Sequence, residues 1–273
     1  MDTRHEERNE LDLLLAARTD AAEERPRVAP RSKVAAPAIL DVPAPDARLV
    51  AFHDLRAPAT EQYRSLRTNL LALDGHRAPR VIVVTSAVKG EGKSVTTLNL
   101  AAVLAETPGA KVVVVDADLR CPSVHSLLGH RNRAGLTEVL KGEIPLPEAL
   151  RPSCLDGLDI LTAGRVEEAP LELFSRGGIQ DLLTTLRAAY DFVLVDTPPV
   201  FTVTDAAVVG ALADGVLLVV RRYGAPTSIV EKAVEALRSA RTRVLGCVMT
   251  GMSPDRKYGR YPYADEIDQA VRS

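Results

Sequence analysis

The run Val81-Ile82-Val83-Val84 passes directly into TSAVKGEGKSVTTLNLA, Thr85 to Ala101. Four consecutive β-branched residues suit a strand buried on both faces, and a helix is expected to begin near Ser94. Between them, Gly90 and Gly92 let backbone N–H groups converge on an anion without obstruction from a Cβ. Strand, glycine loop and helix N-terminus together form a phosphate cradle of the kind that holds a nucleotide. The candidate nucleotide-binding set is therefore Lys89, Gly90, Glu91, Gly92, Lys93, Ser94 and Val95. Lys93 can reach the β- and γ-phosphates of ATP, and the Ser94 hydroxyl can ligate Mg²⁺. The general G-x4-G-K-S pattern asks for glycine at position 87, where this chain has Ala87.

Apolar strands alternate with helical stretches along most of the remaining chain: VIVVTS, KVVVVD, LDILTA, FVLVD, GVLLVVR and RVLGCVM. Helices are expected near Ser94, Gly178, Pro226 and Asp265. ATEQYRSLRTNLLAL adds another, with Thr60 as N-cap and Tyr63, Leu66 and Leu70 on one face. This order predicts an α/β fold over residues 55–255, a doubly wound and mostly parallel sheet flanked by helices. KVVVVDADLR ends its strand in Asp116 and Asp118, and YDFVLVDTPP ends its strand in Asp196. Ligands of such sheets bind at that edge, and three carboxylates beside a phosphate loop suit Mg²⁺, which prefers oxygen ligands.

Residues 1–54 differ from the rest: Ala, Pro and charged residues dominate with no persistent period, which reads as a disordered tail. Within it, NELDLLLAARTDAAEE can form a short amphipathic helix, either transient or for docking. A second tail, residues 256–273, contains Tyr258, Tyr261 and Tyr263, half of the chain's 6 tyrosines. Gly259 and Pro262 oppose a packed helix there, so accessible hydroxyls are expected. A net charge of -2 and a pI near 6.2 give no reason to expect a large nucleic-acid surface. Cys121, Cys154 and Cys247 stand far apart, which predicts free thiols in a reducing cytosol and no structural zinc. No apolar run approaches the roughly 20 residues needed to cross a bilayer. A cytoplasmic protein is expected, reaching the inner face of a membrane only through a partner.

The three motifs resemble the Walker A, Walker A′ and Walker B elements of the bacterial tyrosine kinases (BY-kinases) that control capsule and exopolysaccharide synthesis. DADLRCPSVH, GLTEVLKGE, LDILTAG, DTPPVFTVTDA and DGVLLVVR are similar to that family too, and the likeness runs from about Glu61 to Met252. The family shares its P-loop fold with the partition and cell-division ATPases. The resemblance implies ATP and Mg²⁺ as cofactors and phosphoryl transfer to tyrosine. It places Asp116 near the attacking hydroxyl as base or orienter, and gives Mg²⁺ to Asp118 and Asp196 with Ser94. Lys93 stabilises the γ-phosphate, and the carboxylate roles can be exchanged among themselves.

Three features separate transfer from hydrolysis. Partition-type ATPases carry a signature lysine at the position of Val88; here Lys89 stands one place later. In EQYRSLR, Glu61, Arg64 and Arg67 match the E-x-x-R-x-x-R element by which the family assembles into rings, and their spacing places them near one helix face. The family phosphorylates a C-terminal tyrosine cluster, to which Tyr258, Tyr261 and Tyr263 correspond. Two departures stand beside these: Thr250 occupies the place of a base-contacting Asn, and the transmembrane activator fused to many relatives is not in this chain. The expected partners are a ring-like homo-oligomer, a membrane chain-length regulator acting in trans, and protein tyrosine substrates. The alternatives are a partition-type ATPase switch and a nucleotide-binding regulatory subunit with little kinase activity.

Overall fold

The computed structural model describes residues 44–73, 80–165, 170–175, 177–202 and 205–252. The elements in chain order begin with helix α1 (Val50–His53), helix α2 (Pro58–Ala72), strand β1 (Val81–Ser86), helix α3 (Lys93–Ala105) and strand β2 (Val112–Asp116). Short helices α4 (Val124–Leu127), α5 (Leu136–Leu140) and α6 (Leu146–Ala149) lead to strands β3 (Arg151–Pro152) and β4 (Leu158–Leu161). Then follow α7 (Pro170–Ser175), α8 (Gly178–Ala189), β5 (Phe192–Asp196), α9 (Asp205–Ala211), β6 (Gly215–Arg221), α10 (Thr227–Ser239) and β7 (Val244–Thr250).

Seven strands form one sheet in the order β3-β4-β2-β5-β1-β6-β7. All neighbours are parallel except the two-residue β3, which runs antiparallel to β4. The expected doubly wound sheet is therefore present, and the six strands read from the sequence are all in it. The unbroken valine runs follow from burial on both faces. Val81, Val83, Val113, Val115, Val193 and Val195 face a layer that includes Ile179, Leu182, Leu186 and Leu237 from α8 and α10. Ile82, Val84, Val112, Val114 and Leu194 face the opposite layer, with Leu98, Leu100 and Leu104 of α3. Alternate residues of each strand feed opposite layers, as the period of 2 requires.

Helix α3 is covered on its outer side by α1 and α2, and residues Thr96 to Leu104 are all buried. This covering moves one expected boundary. The composition of residues 1–54 reads as a tail, yet Leu49 is 0% exposed and Ala51 1%. The buried Asn99 amide fastens this segment, accepting from the Ala51 N–H at 2.9 Å and donating to the Arg48 carbonyl at 3.0 Å. Folded packing thus begins before α2, because the apolar outer face of α3 needs a cover that the sheet cannot supply. The N-cap of α2 is also not Thr60. Ala57 holds that position with Pro58 as the first helical residue, a place where the missing N–H costs nothing. Thr60 lies in the first turn, fully buried, and its hydroxyl donates to the Asp54 carbonyl at 2.8 Å.

Cys121, Cys154 and Cys247 are free and exposed. Among the described residues, no helix is long and apolar enough to cross a membrane. The docking-helix segment, the helix expected near Asp265, and Tyr258, Tyr261 and Tyr263 lie outside the described residues.

Candidate active site

The strand order puts β5 between β1 and β2, so their C-terminal ends lie side by side. Asp116 is in register with Asp196, and Val84, the β1 residue two before Ser86, is in register with Asp196 from the other side. The glycine loop leaves β1 at the same edge. Gly90 (φ 85°) and Gly92 (φ 95°) both adopt the left-handed conformation that glycine tolerates without strain. Gly92 caps α3, and Lys93 and Ser94 are its first residues.

Lys93 Nζ lies 3.0 Å from Asp118 Oδ2 and 3.5 Å from Asp196 Oδ2. Ser94 Oγ donates to Asp196 Oδ2 at 2.5 Å and in turn accepts from Ser123 Oγ at 2.8 Å. Burial works against the Lys93 charge, but Asp196 and Asp118 beside it prevail and hold its pKa well above that of an ordinary lysine. For Asp196, burial dominates and raises the carboxyl pKa, with Lys93 and Ser94 opposing.

The three carboxylates are not equivalent. Asp116 is 0% exposed, and backbone N–H groups occupy both of its oxygens: Asp118 at 3.2 Å, Ser123 at 3.2 Å and Val124 at 3.0 Å. It therefore shapes the turn after β2. Burial pushes its carboxyl up to about 8, with the Asp196 charge adding to the effect. Asp118 holds Lys93 with one oxygen and accepts the Cys121 N–H at 3.0 Å with the other. Asp196 Oδ1 is buried, with no hydrogen-bond partner among the described residues. Ser94, Asp118 and Asp196 thus converge on Lys93 as a set of hard oxygen donors, one with a vacant buried acceptor, and this set fits a Mg²⁺ ion.

The remaining expected residues fall into two groups. Glu91 is 2% exposed, and its carboxylate turns into the loop, accepting the N–H groups of Ala87 at 3.0 Å and Val88 at 3.3 Å. It can offer a ligand only its backbone; sequence reading had no signal for this inward staple. Thr250 donates its hydroxyl to the Glu91 carbonyl at 2.7 Å. Lys89 is exposed and, with Gly90, Arg221 and Tyr223, lines a cavity of about 570 Å³ beside the loop. Val95 is half-buried in α3.

Glu61, Arg64 and Arg67 do not form an open charged face. Arg64 grips Glu106 at the end of α3, with Nε at 2.8 Å and a terminal nitrogen at 2.6 Å, and also pairs with Glu61. Arg67 donates to the Val103 carbonyl and lies 3.4 Å from Glu106. Ser123 and Glu106 were missed by sequence reading, because each becomes a partner only through the fold.

A mostly parallel sheet with a phosphate loop after β1, and carboxylates ending the adjacent β5 and the next strand β2, defines a P-loop NTPase. The ParA family model, described as "NUBPL iron-transfer P-loop NTPase", matches residues 77–256. The chain is 38% identical over 223 residues to the tyrosine-protein kinase YwqD of Bacillus subtilis, covering 81% of this chain and 94% of that protein. A putative tyrosine-protein kinase EpsB of Ralstonia nicotianae is 35% identical over 213 residues, which is 76% of this chain but 28% of that protein.

Among solved structures, the kinase domain of Escherichia coli tyrosine kinase Etk superposes with a TM-score of 0.70 at 33% identity, over 78% of this chain and 84% of that one. The chimerical protein CapA2B2 gives 0.72 at 30% identity, over 77% and 93%. MinD of Pyrococcus horikoshii, solved with Mg-ADP, gives 0.54 at 25% identity, over 66% and 75%. The chain belongs to the bacterial tyrosine-protein kinase family, a branch of the P-loop NTPases.

Proposed function

We propose that this chain is a cytoplasmic Mg·ATP-dependent protein-tyrosine autokinase that regulates exopolysaccharide or capsule production. The observation that carries the reading is the convergence of Lys93, Ser94, Asp118 and Asp196 at one sheet edge, in a chain of the tyrosine-kinase family. A putative tyrosine-protein kinase in the cps region of Klebsiella pneumoniae is 31% identical over 74% of this chain, which supports the polysaccharide context.

Catalysis in such a site is mainly positioning and charge neutralisation. The loop N–H groups and the α3 N-terminus bind the phosphates, and Lys93 neutralises charge on the γ-phosphoryl group. Ser94, Asp118 and Asp196 would hold Mg²⁺, which when bound would neutralise charge on the phosphate oxygens. When nucleotide enters, Lys93 exchanges its carboxylate partners for phosphate, which would leave oxygens of Asp118 and Asp196 available as ligands. Asp116 keeps the turn that carries Asp118 in place, and its own oxygens are engaged by backbone donors. In this reading its contribution to the attacking hydroxyl is orientation through that turn.

The acceptors are Tyr258, Tyr261 and Tyr263 of a neighbouring copy in a ring assembled through Glu61, Arg64 and Arg67. A membrane chain-length regulator supplies activation in trans and brings the enzyme to the inner membrane face. Val88 in place of the signature lysine of partition ATPases favours this reading over a dimerisation switch. The test mixes a Lys93→Met chain with a shorter active chain whose three tail tyrosines are Phe, in Mg·ATP. Phosphotyrosine on the inactive full-length chain, mapped to residues 258–263, is expected. Free phosphate without phosphotyrosine would instead mark an ATPase.

A further inference from the structure

The chemistry described above makes no use of Asp205. This residue opens α9, beyond the strand that ends in Asp196, and its side chain is 2% exposed. Among the described residues, neither of its carboxylate oxygens has a hydrogen-bond donor. Leaving a carboxylate buried and without donors is costly. Asp116 and Asp118, by contrast, each have their oxygens occupied.

Among the described residues, the cation facing Asp205 is Arg120, whose Nε lies 3.8 Å from Asp205 Oδ2. Arg120 stands two residues after Asp118, at the same sheet edge, and its side chain is 33% exposed. A charge-assisted hydrogen bond would measure about 2.7–2.9 Å, so this is an ion pair one short movement away from closure. The edge is also crowded with acid: Asp116, Asp118, Asp196 and Asp205 are all buried. Lys93 approaches this cluster from the loop side. Burial raises the Asp205 carboxyl pKa, with Arg120 opposing and Asp118 adding to it.

We propose that Asp205 is a positioning residue for the terminal phosphate, holding Arg120 at the rim of the carboxylate cluster where its guanidinium meets the γ-phosphoryl group opposite Lys93. The planar fork of Arg matches phosphate oxygens in a way that an ammonium does not. Restraining that long side chain in advance lowers the ordering cost of binding. The inference rests on the nucleotide reading of the site and adds to it a sensor that separates a triphosphate from a diphosphate.

The experiment titrates the full chain, with Mg²⁺, against ADP and against a non-hydrolysable ATP analogue. Asp205→Asn keeps the shape and removes the charge that holds Arg120. ADP affinity is expected to change less than about 3-fold while the analogue weakens about 10-fold, in line with the loss of one charge-assisted contact. The apo melting temperature should not fall, because the substitution removes a buried charge that lacks donors and leaves behind an Arg120 that is 33% exposed and open to water. Arg120→Lys should show the same selective loss, and the double variant should be no worse than either single one. A purely structural Asp205 would instead lower the melting temperature and weaken both nucleotides alike. That result, an unfolded Asp205→Asn chain, unaltered analogue affinity in either variant, or additive losses in the double variant would overturn the proposal. If the wild type binds neither nucleotide, the nucleotide reading fails first and takes the proposal with it.

Discussion

The Thr250 hydroxyl, at the end of β7, donates to the Glu91 carbonyl inside the phosphate loop at 2.7 Å. Its side chain also lies 3.6 Å from where a Cβ on Gly92 would stand. The strand thus braces the loop at the residue that caps α3. Thr250→Val keeps the shape and removes the donor, so a stability loss of about 1 kcal/mol is expected. The preference for ATP over GTP should not change, because the lost hydroxyl faces the loop. Thermal melts and nucleotide competition check this; a shifted ATP-to-GTP ratio would return Thr250 to a base-reading role.

Glu91 should matter more. One carboxylate oxygen accepts from Ala87 and Val88, and the other faces the N–H groups of Arg221 at 3.5 Å and Ala225 at 3.4 Å. The residue ties the loop to the β6–α10 turn. Glu91→Gln turns an amide NH₂ against backbone donors, which is expected to cost roughly 1–3 kcal/mol. A loop no longer held in shape should also bind Mg·ADP about tenfold more weakly, at roughly 1.4 kcal/mol per decade. Calorimetry with and without nucleotide separates the two effects.

These two residues mark where the sequence stops being legible. The central strands could be read because burial on both faces leaves unbroken runs such as Val112–Val115, and Asp116 and Asp196 stood out as charges ending them. Lys93 and Ser94 were readable because the glycine spacing fixes where backbone and helix must point. Glu91 sits in the same motif, yet its inward turn depends on β6 and β7, which no local pattern reports. Glu106 was invisible for a similar reason: its partner Arg64 is 42 residues away. Strand β3 escaped because two residues carry no period. In α2, Pro58 was the truer start signal than Thr60, whose hydroxyl serves the incoming chain.

Lys93→Met should abolish nucleotide binding and phosphotyrosine formation together, and it should also weaken the empty protein. Asp118 and Asp196 would lose the cation 3.0 and 3.5 Å away. Removing one partner of a buried pair is expected to cost roughly 3–5 kcal/mol. Urea denaturation of the apo chain measures this; unchanged stability would mean that the carboxylates find protons or other partners.

Asp214 supplies a pH signature far from the chemistry. Its carboxylate accepts the N–H groups of Arg80 and Val81, both at 2.8 Å, and pairs with Arg187 at 2.8 Å. Burial alone would raise its pKa, but Arg187 and these N–H groups prevail and hold it below the ordinary carboxylate value. A depressed folded value stabilises the protein above the unfolded pKa, and that stability is lost as pH falls through the folded one. Asp214→Asn should therefore be less stable than wild type at neutral pH, by roughly 1–3 kcal/mol. The gap should close in acid. Denaturation at a series of pH values tests this, and a gap independent of pH would defeat the ionic explanation.

The arginines of α2 give the sharpest test of assembly, because the fold already employs them. Arg64 and Arg67 are 24% and 15% exposed, and both reach Glu106 beyond the last residue of α3. A lone carboxylate at a helix C-terminus opposes the helix dipole. The guanidinium groups offset that charge and fasten α2 to the helix whose other end carries Lys93. Replacing both arginines with Ala should therefore lower stability by roughly 1–3 kcal/mol as well as dissolve any ring, and light scattering on that variant alone cannot separate the two losses. Glu106→Gln can. It loosens the internal clamp while Glu61, Arg64 and Arg67 stay available to a neighbouring copy. If the element builds the assembly, Glu106→Gln should melt lower than wild type yet keep or gain mass across a concentration series, and the double Ala variant should fall to a monomer. If an oligomeric wild type keeps its mass in the double Ala variant, the interface lies elsewhere and these arginines serve the clamp alone.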